Sequence, residues 1–229
     1  LSGLLGLPAD QVAVVPPGIS PREFLGLGQR AVEWMDQWGL WQASPLMLLP
    51  ARVTRRKNME LGIQITAALR ALGLAPKLIV MGPLGPHNAA NITYLRELKN
   101  LAASLGVSED VIYLQEHGAV SDAVRRDLYL LADLLLFPSL REGFGIPILE
   151  AGLARLPIFC SDIPPFRESA GPWAHYLGLD EAPAAIAARL AACLEEDGQH
   201  RLRRRVLEEY NWASLMTKRI VPLLEEKWT

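Results

Sequence analysis

Apolar residues in this chain fall into short unbroken runs separated by longer stretches with a helical period. The runs lie at residues 12–15, 46–49, 77–81, 111–114, 134–137 and 157–160. Each has the length of a strand buried on both faces, too short for a core helix. Between them, apolar positions recur every three or four residues. Val32, Trp34, Met35 and Trp38 mark a helix over 29–38, and Leu61, Ile65, Ala68, Leu69 and Leu72 mark another. Stretches 88–105 and 122–131 repeat the pattern, the latter opened by Ser121-Asp122, an N-cap followed by an acid in the first turn. Strands alternating with helices over short connections predict an α/β fold with a doubly wound parallel sheet covered on both faces. An alanine-rich helix over 182–192 and a helical tail follow. In the tail Trp212, Leu215, Met216, Ile220, Leu223 and Leu224 share one stripe.

In such a sheet, chemistry gathers in the loops leaving the carboxyl ends of the strands. The run 134–137 ends at Pro138 and leads into Arg141-Glu142-Gly143-Phe144-Gly145-Ile146-Pro147-Ile148-Leu149-Glu150. Two glycines allow close approach to the backbone, and Pro147 suits a first helical turn. The N–H groups near Phe144, Gly145 and Ile146 are then free to face an anion. Two carboxylates beside an anion are repulsive unless other charges offset them. They make sense as acceptors for neutral hydroxyls at the two ends of one ligand; helix capping and a solvated glutamate would account for the bare spacing alone.

The offsetting charge comes from Arg52-Val53-Thr54-Arg55-Arg56-Lys57-Asn58, which follows the run 46–49 and precedes a helix. Cations before a helix N-terminus oppose its dipole, so their presence there is better explained by a bound anion than by stability. A solvated basic loop is the alternative, and it is the reading kept for Arg55 and Arg56.

The region from Glu142 to Glu150, with Ala151-Gly152-Leu153-Ala154 and Pro157-Ile158 after it, resembles the E-x7-E segment of retaining glycosyltransferases of the GT-B fold (glycosyltransferase family 4, glycosyl transferases group 1). The R-x4-K spacing of Arg52 and Lys57 resembles that family's diphosphate-binding pair, with Asn58 where many relatives carry glycine. The resemblance implies a Rossmann-like donor-binding domain, the C-terminal half of a GT-B fold. In it Arg52 and Lys57 hold the diphosphate, Glu142 meets donor-sugar hydroxyls, and Glu150 meets the ribose. Gly143, Phe144, Gly145 and Ile146 form the turn around them. Pro16-Pro17-Gly18-Ile19 is similar to a family turn that would bring Gly18 to the cleft. Gly82-Pro83-Leu84-Gly85 is similar to a glycine turn near the donor phosphates. Glu168 resembles a last family glutamate, with a plain surface role equally open.

The implied donor is a nucleotide sugar such as a UDP-, GDP- or ADP-hexose, with no cofactor; the acceptor is unknown. No Asp-x-Asp pair occurs and the four histidines are scattered, so a metal-independent hexosyltransferase is expected. The resemblance spans about Val12 to Glu168 and covers the donor half alone. The expectation is therefore a piece of a longer protein, inactive by itself, whose acceptor-binding N-terminal domain is missing. The division expected is a nucleotide-sugar domain over 1–209 and a C-terminal helix over 210–229 that packs on that missing domain, so that part of its apolar stripe lacks a partner here. A non-catalytic sugar-nucleotide module and a GT-B sugar-nucleotide epimerase are the rivals; a redox domain lacks its G-x-G-x-x-G fingerprint.

Composition narrows the setting. Half of the 229 residues are hydrophobic and the formal net charge is -2, which offers nothing to nucleic acid and argues against disorder. No apolar run reaches membrane-spanning length. Cys160 and Cys193 lie far apart with no C-x-x-C, which fits reduced thiols and a cytoplasmic setting, with peripheral membrane attachment of the intact protein left open.

Overall fold

The computed structural model describes residues 2–6, 8, 12–83 and 89–226. The expectations for Leu84, Gly85 and His87 lie outside these residues. The chain forms two compact units, Gly28–Glu196 and a second made from both chain ends, Leu1–Leu27 with Asp197–Thr229. The boundary expected between residues 209 and 210 falls inside the second unit.

The Gly28–Glu196 unit is built on one six-stranded parallel sheet. Its strands are β1 (Leu46–Leu49), β2 (Lys77–Val80), β3 (Val111–Tyr113), β4 (Leu134–Phe137), β5 (Ile158–Ser161) and β6 (His175–Leu177), in spatial order β3-β2-β1-β4-β5-β6. The order runs outward in one direction from β1 and in the other from β4. With right-handed crossovers the connecting helices of the two halves fall on opposite faces, which gives the doubly wound sheet expected. Every residue of β1 and β4 is buried, as central strands covered on both sides require.

The helices of this unit are α1 (Gln29–Gln37), α2 (Met59–Ala71), α3 (Ala89–Ser104), α4 (Asp122–Leu131), α5 (Ile146–Leu153), α6 (Pro164–Ala170) and α7 (Pro183–Glu196). Helix α2 buries Met59, Ile63, Ile65 and Leu69 and packs along α7, which buries Ile186, Ala187, Leu190 and Leu194. Gly62 lets α2 sit close on the sheet: a Cβ there would come within 3.2 Å of Leu49 and Leu78 side chains. Two buried carboxylates tie strand and helix starts together. Asp133 accepts from the Leu46 N–H at 2.8 Å, and Asp127 accepts from the Gly28 N–H at 2.8 Å. A buried charge that would be costly alone is stabilised by these backbone donors.

Two strand expectations need correction. Residues 12–15 form no strand; Val14 and Val15 are exposed and no neighbouring strand supplies a ladder. The sixth strand is β6, an edge strand whose first residue is exposed and only whose Leu177 is fully buried, so it carries no apolar run to announce it. Within the terminal unit Ile19 bridges Asn211: the Ile19 N–H donates to the Tyr210 carbonyl at 2.8 Å and the Trp212 N–H to the Ile19 carbonyl at 3.2 Å. The helix Gly198–Arg205 is capped by Asp197, whose carboxylate accepts from the Gln199 N–H at 2.8 Å. Along the tail stripe Leu215 is buried, while Trp212, Met216 and Leu224 are exposed. Among the described residues no helix is long and apolar enough to cross a membrane.

Candidate functional site

The strand order reverses between β1 and β4, so the crevice beyond their carboxyl ends is where a ligand would lodge. The two segments singled out in the sequence emerge there side by side. After β1, Thr54 leads into a short turn, Arg55–Lys57, and Asn58 takes a left-handed conformation (φ 50°) that redirects the chain into α2. Asparagine tolerates this backbone better than most residues. After β4, Pro138 and Ser139 lead to Glu142 and then to Gly145, whose φ of 101° opens α5. Glycine is required at that point twice over, since a Cβ would also come within 3.0 Å of the Phe166 ring.

Lys57 and Glu142 meet directly. The Lys57 ammonium donates to Glu142 Oε1, which also accepts from Ser139 Oγ at 3.1 Å. Arg56 closes on the other oxygen at 3.2 Å and on the Arg141 carbonyl at 3.2 Å. Lys57 also lies over the Phe137 ring, 5.1 Å from its centroid. Its side chain is 9% exposed and that of Glu142 10%. Burial, then the nearby charges of Arg56 and Arg52, push the Lys57 ammonium down from 10.5 to about 8. The Glu142 carboxylate works in the opposite direction. Arg52 itself and Arg141 are exposed. Two cations therefore close on one largely buried carboxylate, and the charge of Arg52 acts on the same lysine, a surplus of positive charge suited to an anion.

At the start of α5 the N–H groups of Phe144, Gly145 and Ile146 have no acceptor among the described residues. The side chains of Phe144 and Ile146 are exposed. About one turn into the same helix lies Glu150, with both oxygens engaged: Oε2 accepts from the Tyr129 hydroxyl at 2.6 Å, and Oε1 faces Arg125 at 3.5 Å. Burial and the Glu150 carboxylate push the Tyr129 ionisation up, so the phenol stays protonated and acts as the donor.

The glycines differ in what they answer to. A Cβ on Gly82 would overlap the Ala51 carbonyl and the Arg52 nitrogen, so the close pass of the chain leaving β1 and β2 accounts for it. At Gly143 a Cβ would meet nothing within 4 Å, and no contact within the protein explains the residue. Gly18 belongs to the terminal unit, where a Cβ would press on Trp212 at 2.7 Å and Leu215 at 2.8 Å. Glu168 is exposed. His117 packs on Trp38, and His175 stacks on Phe159 at 4.5 Å, as boundary histidines do. Cys160 is buried, and burial raises its thiol to about 12, which leaves it unreactive.

Ser139, Arg125 and Tyr129 shape this crevice without having been singled out in the sequence, and Arg56, expected only as a solvated cation, joins them. Arg56 is exposed as expected, yet its guanidinium holds Glu142. A signal for Tyr129 was present. It is a phenol on the apolar face of α4, beside Leu128 and Leu131, and a buried hydroxyl there demands a partner.

Comparison with known proteins adds the family. The model described as glycosyl transferases group 1 matches residues 32–210. A D-inositol 3-phosphate glycosyltransferase of Actinosynnema mirum is 33% identical over 165 residues, 71% of this chain and 38% of that protein. A serotype-specific mannosyltransferase of Escherichia coli is 39% identical over 145 residues, 63% of this chain and 17% of that protein. The chain spans 34% to 38% of the length of the first four curated relatives it matches. Among solved structures, the C-terminal domain of a glycosyl transferase group 1 family protein from Francisella tularensis aligns over 85% of this chain and 94% of that domain. The TM-score is 0.56 at 18% identity, a likeness of fold. An Anabaena protein in complex with UDP and glucose aligns over 97% of this chain and 59% of its own, with a TM-score of 0.59 at 19% identity.

Proposed function

We propose, since the chain belongs to the glycosyl transferases group 1 family, that its Gly28–Glu196 unit binds a nucleotide-sugar donor at the β1–β4 crevice. The intact protein transfers a hexose from that donor to an acceptor, with retention of configuration and without a metal. The observation that carries this reading is the meeting of a buried Lys57, flanked by Arg52 and Arg56, with Glu142 and the open N–H groups of α5. Few ligands match that set. A diphosphate takes the cations and the amides, and a polyol takes the carboxylates.

The chemistry follows from where charge develops. As the glycosidic bond breaks, the departing diphosphate gains negative charge, and donors already in place stabilise that charge without reorganising. Arg52, Lys57 and the α5 amides are such donors. Lys57 suits the task because it is protonated at neutral pH, although burial holds its ammonium at about 8, and an arriving anion stabilises the charge it already carries. The diphosphate competes with Glu142 for this ammonium and frees Glu142 Oε1 to accept from a sugar hydroxyl. Glu150 accepts from the ribose, and Gly143 leaves room for the ligand against the backbone. A role for Gly82 is indirect, through the turn it permits, and Gly18 answers to Trp212 and Leu215. On this reading the Gly28–Glu196 unit supplies the donor-binding step alone, and the setting we propose for the intact protein is cytoplasmic.

Calorimetry of this chain against UDP-, GDP- and ADP-hexoses tests the binding step. One of them binds, and Lys57→Ala weakens the nucleoside diphosphate far more than the bare nucleoside. Equal losses for the two ligands would refute the assignment. Anomeric analysis of the product made by the intact protein tests retention, and turnover in the presence of a chelator tests metal independence.

A further inference from the structure

We infer that Tyr129 is a positioning residue for the donor's ribose: its hydroxyl fixes the Glu150 carboxylate so that the free lone pairs of that group face the ribose hydroxyls. The inference rests on the nucleotide-sugar reading of the crevice. Tyr129 itself touches no donor; it acts through Glu150.

Glu150 projects from α5 with three side-chain torsions, and a carboxylate free to swing would lose directionality toward a diol. Here its swing is stopped on one side. The Tyr129 ring is buried in the apolar face of α4 and its hydroxyl reaches Oε2 at 2.6 Å, a short bond to an ionised acceptor. Arg125, from the same helix, faces Oε1 at 3.5 Å from a half-exposed position and is also drawn to Asp122 at 3.1 Å. The phenol is thus the rigid support and the guanidinium the mobile one. An ionised carboxylate has about four acceptor sites. With one taken by Tyr129 and the Arg125 side electrostatically satisfied, the others remain for ligand hydroxyls. Glu150 is 27% exposed, so ligand can reach it. The same bond links α4 to α5, whose N-terminus carries the anion-binding amides, so ribose and diphosphate are held on one frame.

The test measures selectivity for the ribose hydroxyls. Affinities of UDP, GDP and ADP and of their 2′,3′-dideoxy counterparts are compared in the wild-type chain, Y129F and E150Q. The wild type prefers the ribonucleotide of its own base by about tenfold or more, as for a hydrogen bond to a charged group. In Y129F that preference falls to about threefold or less while dideoxynucleotide affinity is unchanged, since only the orientation of Glu150 is lost. A Y129F variant with the full wild-type preference overturns the inference and leaves the nucleotide reading intact. A wild type that binds diphosphates without preferring the ribose, or an E150Q variant that keeps the preference, overturns the role of Glu150 and this inference with it. Should Y129F not fold, 19F spectra of the wild-type chain labelled with 3-fluorotyrosine decide the matter. Of the five tyrosines, the Tyr129 resonance moves with the ribonucleotide and stays still with the dideoxy form; equal movement with both contradicts the proposal.

Discussion

Raising the pH through the titration of Lys57 should dissolve the grip on a diphosphate in a way that no other part of the crevice reproduces. In the free protein, burial with Arg56 and Arg52 nearby holds this ammonium at about 8 instead of 10.5. A bound diphosphate raises it again, because the charged form now faces an anion. The sign follows from linkage: binding is strongest below about pH 8, where Lys57 is already protonated, and weakens as the pH climbs from there toward the bound-state value. If binding restores the ordinary lysine value, the difference corresponds to about 3 kcal/mol, or on the order of a hundredfold in Kd. That is an upper limit, since Glu142 already offsets part of the burial in the free protein. The phosphates themselves lose their last proton near pH 6 and do not titrate above pH 8, and the Lys57→Ala profile separates the lysine from the nucleotide base. Calorimetry at pH 7, 8, 9 and 9.5 in buffers of different ionisation enthalpy reads both Kd and the protons taken up. Lys57→Arg, charged throughout, should give a flat profile, and Lys57→Ala a flat and uniformly weak one. A wild-type Kd that is constant over this range, or the same decline in Lys57→Ala, would refute the reasoning.

Three further predictions follow from the backbone and the buried network. Gly82→Ala should destabilise the fold by more than about 3 kcal/mol in urea unfolding, because the Ala51 backbone cannot give way to a Cβ. Gly143→Ala should leave stability within about 0.5 kcal/mol of wild type and still weaken donor binding, since only a ligand meets that position. Arg155, which ends α5 in the left-handed region at φ 58°, should tolerate glycine with a gain of up to about 1 kcal/mol, read as a higher midpoint in urea; a loss would show that its side chain supports the fold.

How far the sequence could be read depended on whether burial was complete and contacts local. Strands β1, β2 and β4 are buried almost end to end, so their apolar runs stood out, and the glycine turn and basic segment following β4 and β1 were legible by the same route. Strand β6 is three residues at an edge, with His175 exposed, and has no such signature. The valines at 12–15 have the composition of a strand and no partner, a tertiary fact that composition cannot supply. The candidate site divides in the same way. Arg52, Lys57, Glu142 and the α5 turn were visible through the spacing they share with the family's motifs. The support given by Tyr129 to Glu150 spans 21 residues between two helices. That of Arg56 to Glu142 spans 86, and only folding brings either pair together. Gly82 was legible as a special residue, yet what makes it special is the neighbouring Ala51 carbonyl.

The most direct test of the central claim is a crystal structure of this chain with a bound nucleoside diphosphate. The diphosphate should lie between Arg52, Lys57 and the N–H groups of Phe144, Gly145 and Ile146, with the ribose on Glu150. A nucleotide bound elsewhere, with Lys57 still closed on Glu142 and Glu150 still held only by Tyr129 and Arg125, would contradict it.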